Sequence, residues 1–78
     1  MMIGMTRVKG VTILLDADYD LDNDTATYRV TYDGTKLFFN NFRDASVLFK
    51  SLEKELEMGC DMDSRINTLV SMYGKEAA

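Results

Sequence analysis

The chain contains no histidine, no proline and no tryptophan, and its one cysteine is Cys60. Without histidine it lacks the commonest general base and the commonest metal ligand. One thiol makes neither an internal disulfide nor a zinc site, which fits a reducing cytoplasm. The opening MMIGMTRVKG has no long apolar run, so it reads as neither a signal peptide nor a membrane span. There is no glycine-rich phosphate loop, no basic–aromatic stripe, no internal repeat and no low-complexity linker. Basic charge is also short. Nine Lys and Arg against thirteen Asp and Glu leave a net charge of −4. That balance argues against nonspecific nucleic-acid binding and suits a partner with a basic face. At 78 residues, the chain is read as one domain, 1–78. A chain of this size buries only about 60% of its unfolded surface and has little material for a deep catalytic cleft.

What is present is a clear alternation between residues 11 and 39. Apolar side chains fall first on odd positions: Val11, Ile13, Leu15, Ala17, Tyr19 and Leu21. They switch to even positions at Ala26, Tyr28, Val30 and Tyr32, and return to odd at Leu37 and Phe39. A strand repeats every two residues, so each run is one face of a strand and each switch is a turn. A two-residue loop at Asn23-Asp24 would set Leu21 against Ala26, Tyr19 against Tyr28, and Asp18 against Arg29 on the outer face. The Asp33-Gly34 turn is the stronger signal and pairs Val30 with Leu37 and Tyr28 with Phe39. It also sets Arg29 beside Phe38 on the outer side. Tyr19, Tyr28, Tyr32 and Phe39 are read as core.

Residues 1–10 have two readings. They are either a lead-in to the strand at Val11, with Gly10 as a bulge, or a fourth, N-terminal strand ending in a Lys9-Gly10 turn. The lead-in is preferred. After residue 40 the period lengthens. Phe42, Ala45, Leu48, Phe49, Leu52 and Leu56 recur at three and four, which predicts a helix near 42–58. Asn41 is its N-cap and Gly59 its left-handed stop. Asp61 or Asp63 caps a second helix with Met62, Ile66, Leu69, Val70 and Tyr73 as its stripe, ended by Gly74. Lys75 to Ala78 are expected to fray. The expected fold is α+β: a three-stranded antiparallel meander, with the fourth strand as the alternative, then two helices packed on one face.

Asp16, Asp18, Asp20, Asp22 and Asp24 form an acidic run. In the EF-hand frame from Asp16, Leu21 stands where glycine is needed and Thr27 where glutamate is needed; the frames from Asp18 and Asp20 fail likewise. The plain reading is a solvated strand face, yet such faces usually mix their signs, and here only Arg29 offers relief. A further reading is geometric. Alternate strand residues lie about 6.8 Å apart, so Asp16, Asp18 and Asp20 form a row of charges at roughly the phosphate step of one nucleic-acid strand. A basic groove built for nucleic acid would accept that row.

Catalysis has little support. Ser46, Ser51, Ser64 and Ser71 have no histidine to activate them, and Cys60 reads as a packing residue between helices. Phe38, with Leu14 on the same outer face, is an interface anchor in the functional reading and one exposed aromatic in the plain one.

The hairpin YRVTYDGTKLFF, the helix NFRDASVLFKSLEKELEMG and the final helix with SRINTLVSMY resemble, in plan, small phage-encoded anti-CRISPR proteins. The likeness is one of architecture and carries no functional residue across. It implies binding to a CRISPR effector, stoichiometric inhibition and no catalysis. The expectation is therefore a small acidic, non-enzymatic inhibitor that occludes a basic, nucleic-acid-handling surface on a protein partner. Asp16, Asp18, Asp20 and Asp22 are its expected contact residues, with Arg29 and Phe38 as the adjoining patch. No catalytic residue, metal ligand or cofactor is assigned, and neither direct nucleic-acid nor membrane binding is expected. The alternative is a self-associating structural module that pairs two copies through an open strand edge or the Phe38 and Leu14 side.

Overall fold

The computed structural model describes residues 1–75. Four strands lie in chain order in one antiparallel sheet: β1 (Met2–Val8), β2 (Val11–Asp20), β3 (Thr25–Tyr32) and β4 (Thr35–Phe39). Two helices follow, α1 (Phe42–Glu57) and α2 (Met62–Tyr73), giving the α+β plan with the N-terminal strand present.

The preferred lead-in reading of residues 1–10 is thus corrected. Lys9 (φ 51°) and Gly10 (φ 80°) form a tight turn that pairs Val8 with Val11. The strand escapes a parity reading because its inward positions, opposite Ile13 and Leu15, are Thr6 and Gly4. Its register also shifts between Met2 and Gly4, which breaks the alternation. A Cβ at Gly4 would meet the Phe49 ring of α1 at 3.5 Å, an ordinary contact distance.

The turn at Asp33 (φ 48°) and Gly34 (φ 87°) forms as expected, with Val30 opposite Leu37, Tyr28 opposite Phe39 and Arg29 opposite Phe38. The first hairpin differs. Its turn spans four residues, Leu21 to Asp24, and pairs Tyr19 with Ala26, Ala17 with Tyr28 and Asp16 with Arg29. The physical reason is Asp20. Its carboxylate accepts from the Asp22 and Asn23 main-chain N–H groups (3.0 and 3.4 Å) and from the Asn23 side-chain amide (2.7 Å). Such a side-chain-closed turn satisfies the chain end two residues earlier than a two-residue loop would. Asp24 takes the left-handed position, φ 53°.

The sheet's inner face gives Ile13, Leu15, Val30, Tyr32, Leu37 and Phe39 to the core, and the helices meet it with Ala45, Leu48, Leu52, Leu56, Met62 and Leu69. Ile13, Val30, Leu37 and Leu52 are fully buried, each worth about 1.5–3 kcal/mol in transfer from water. Asn41 caps α1 by accepting from the Asp44 N–H at 2.8 Å, while its amide donates to the Asp44 carboxylate at 2.9 Å. Gly59 (φ 79°) closes α1, with the Cys60 N–H reaching back to the Glu55 carbonyl at 3.1 Å. Asp61 caps α2 through the Ser64 N–H and hydroxyl, at 3.3 and 3.0 Å. The two helices are tied by Arg65 Nε to Glu55 Oε1 at 3.2 Å, and α2 reaches the sheet by stacking Tyr73 on Phe39, centroids 4.6 Å apart. The α2 stripe is narrower than expected, since Val70 faces solvent. Cys60 is exposed rather than a packing residue. Of the tail expected to fray, residues 76–78 lie outside the described residues. Among the described residues, no helix is long and apolar enough to cross a membrane.

Candidate functional site

The two middle strands outrun their neighbours. Pairing between β1 and β2 reaches Asp16, and pairing between β3 and β4 reaches Tyr28. Beyond those points β2 and β3 continue as a two-stranded ribbon through Asp18 and Thr27 to Asp20 and Thr25. The overhang fits the elongated shape of the molecule, 42 × 23 × 19 Å.

The charge is distributed unevenly. The β2–β3 hairpin holds five aspartates and one arginine, so its formal charge equals that of the whole chain, −4. The remaining eight acidic and eight basic residues cancel. Like charges along one strand edge repel, and the structure meets that cost in three ways. Arg29 grips Asp16 with Nε to Oδ1 at 3.0 Å and Nη2 to Oδ2 at 2.8 Å, and extends Nη1 to Asp18 at 3.4 Å. Asp20 is committed to the turn. Its bonds from the Asn23 amide, then from the Asn23 and Asp22 main-chain N–H groups, hold its carboxyl below the usual range. Asp24 accepts a hydrogen bond from the Tyr19 hydroxyl.

The expected contact residues therefore separate. Asp16, Asp18 and Asp20 share the outer face, as the alternation requires. Asp16 and Arg29 neutralise each other, with side chains only 23% and 25% exposed. Asp18 remains 66% exposed, and Asp22 is open to water within the turn. Phe38 lies across from Arg29 on β4, half-buried and set back from the tip. Among the described residues, no group of three or more carboxylate or thiol side chains is placed to hold a metal ion.

Three residues at the tip were not among those expected to make contact: Tyr19, Leu21 and Asp24. Tyr19 is 58% and Leu21 83% exposed, which corrects their assignment to the apolar inner face. Tyr19 lies on the ribbon at the margin of α1, where only Phe42 approaches its side, and Leu21 lies in the turn beyond it. Asp24 was visible as the last member of the acidic run.

A groove of about 550 Å³ lies on the inner side where the ribbon leaves the sheet. Ile3, Ala17, Tyr19, Ala26, Tyr28 and Phe42 line it, with Met1 and Asp18 at its margins. The edge of Tyr28 meets Phe42 at 5.8 Å between centroids, and the Met1 and Ala17 main chains exchange hydrogen bonds of 2.6 and 2.9 Å. A second cleft of about 540 Å³ runs between α1 and α2 past Arg43, Val47, Arg65 and Met72.

Comparison with protein-family models, with curated proteins and with solved structures finds no match to this chain. The functional reading therefore rests on the geometry above.

Proposed function

We propose that this chain is a small, non-enzymatic binding protein that occludes a basic, nucleic-acid-handling surface of a protein partner, in the manner of an anti-CRISPR inhibitor. The observation that supports it is the concentration of the entire net charge on one protruding hairpin, while the rest of the molecule is balanced. A two-stranded ribbon enters a groove that a globular body cannot, and its exposed Asp18 and Asp22 carry charge toward a cationic wall. Complementary charge raises the association rate and makes binding salt-dependent.

The test is capture of proteins from a host lysate at stepped salt by the wild type and by the double variant Asp18→Lys, Asp22→Lys. Both positions are exposed, and neither closes the turn. Capture of a nucleic-acid-binding protein that is lost in the variant and displaced by duplex DNA supports the reading. Capture that the variant retains, or that DNA leaves intact, sinks it.

One observation favours self-association instead. The outer sheet face has no helix over it, and Met2 and Met5 are exposed there beside the free edge of β1. Sedimentation at micromolar concentration separates the readings. A stable dimer disrupted by Met5→Lys favours the second.

A further inference from the structure

The hairpin groove has the opposite character from the charge around it. Its walls are apolar or aromatic: Ile3, Ala17, Tyr19, Ala26, Tyr28 and Phe42. Among the described residues, the charged groups at the groove are Asp18, whose carboxylate turns to the outer face toward Arg29, and the Met1 ammonium, which donates to the Ala17 carbonyl; Asp24 is bonded to the Tyr19 hydroxyl at the groove's far end. Among the described residues, no lysine or arginine lines it. Tyr19 and Phe42, each more than a third exposed, would lose that contact with water only if something occupied the groove.

Charge selects the occupant. A second copy presenting its own hairpin would bring −4 against −4, the full charge of each chain. An uncharged apolar segment would leave the acidic hairpin tip beside the groove uncompensated. We infer that the groove receives a bulky apolar side chain from a cationic segment of the partner, one whose lysines or arginines flank that side chain and meet Asp18, Asp22 and Asp24. Binding energy in protein interfaces concentrates in well-packed, desolvated pockets rich in tyrosine, tryptophan and arginine. This inference deepens the reading of the acidic hairpin and rests on it. It adds that charge steers the partner while the groove holds it. The cleft between α1 and α2 lacks this selectivity, since Arg43, Asp44 and Arg65 line it with both signs.

Two capped hexapeptides of equal charge, KKLFKK and KKSSKK, test the inference by amide chemical-shift titration of the intact chain. The expected result is that KKLFKK moves the signals of Ile3, Tyr19, Ala26 and Phe42, and binds about tenfold more tightly than KKSSKK, one decade in Kd. Tyr19→Ser should remove most of that advantage and leave KKSSKK unchanged. Ile3→Ser, at the other end of the groove, provides the same reading should the Tyr19 variant disturb the turn. Equal affinity of the two peptides overturns the groove while leaving the acidic hairpin standing. Shifts centred on Val47 and Met72 overturn it in favour of the interhelical cleft. Absence of binding by both overturns it outright, and the lysate experiment then judges the hairpin separately.

Discussion

Arg29 on β3 holds Asp16 on β2 in a two-point grip, Nε to Oδ1 and Nη2 to Oδ2, directly across the pair of strands. The same guanidinium touches Asp18 only at 3.4 Å, and that carboxylate is largely in water. One cation thus serves two anions unequally. The nearer contact is half-buried and charge-assisted, a class worth about 1.5–3 kcal/mol. The farther one resembles an exposed surface pair, worth about 0–1 kcal/mol.

Double-mutant cycles in urea should reproduce that order. Arg29→Gln with Asp16→Asn should show a coupling of about 1–3 kcal/mol. Arg29→Gln with Asp18→Asn should stay below about 1 kcal/mol. Equal couplings would mean that the guanidinium is shared evenly.

The four-residue turn leaves Leu21 in solvent. Leu21→Lys should therefore change stability by no more than about 0.5 kcal/mol, the usual span for an exposed position. Leu37→Ala, in the fully buried core, should cost about 2–5 kcal/mol. A large penalty at Leu21 in thermal or urea unfolding would restore the shorter loop.

Two glycines should respond with opposite signs. Gly34 is at φ 87°, so Gly34→Ala strains the turn and should destabilise by about 1 kcal/mol or more. Gly4 lies in a strand at ordinary contact distance beneath Phe49, and Gly4→Ala should stabilise by about 0.4–1 kcal/mol. The check is the midpoint of urea unfolding for each variant.

Stability should fall at both ends of the pH scale. Asp61, bonded by the Ser64 N–H and hydroxyl, and Asp20 both titrate below the ordinary carboxylate value when folded. Their contribution is complete above the unfolded value of about 3.9 and is lost as pH falls through the folded ones. Tyr32 behaves oppositely. Burial, then Asp33 and Asp63, push its hydroxyl upward. Its contribution holds below about pH 10 and is lost as pH rises through the folded value. Asp61→Asn keeps a capping oxygen, so melting curves should show a shallower acid limb with little change at neutral pH.

Alternation alone placed the inner face of β2, β3 and β4, because Ile13, Leu15, Val30 and Leu37 obey a period of two and are buried. It also put Asp16, Asp18 and Asp20 together on the outer side. It could not fix the partner of each residue. Sliding the first hairpin by two positions keeps every face and changes every pair, so Asn23-Asp24 and the longer Asp20-closed turn look alike to hydrophobicity. Nor could it say where the helices stop. Tyr19 follows the inner parity as faithfully as Leu15, yet only Leu15 has a helix above it. β1 was illegible for a third reason: its inward positions opposite Leu15 and Ile13 are Gly4 and Thr6, which carry no apolar signal, and its register shifts between Met2 and Gly4.

The overhang of β2 and β3 has a consequence for how the molecule approaches another. With all the uncompensated charge at one extremity and a neutral body behind it, the protein is a strong electric dipole. Near a cationic surface it feels a torque before it feels contact, and it turns tip-foremost while still separated by about a Debye length, some 8 Å at physiological salt.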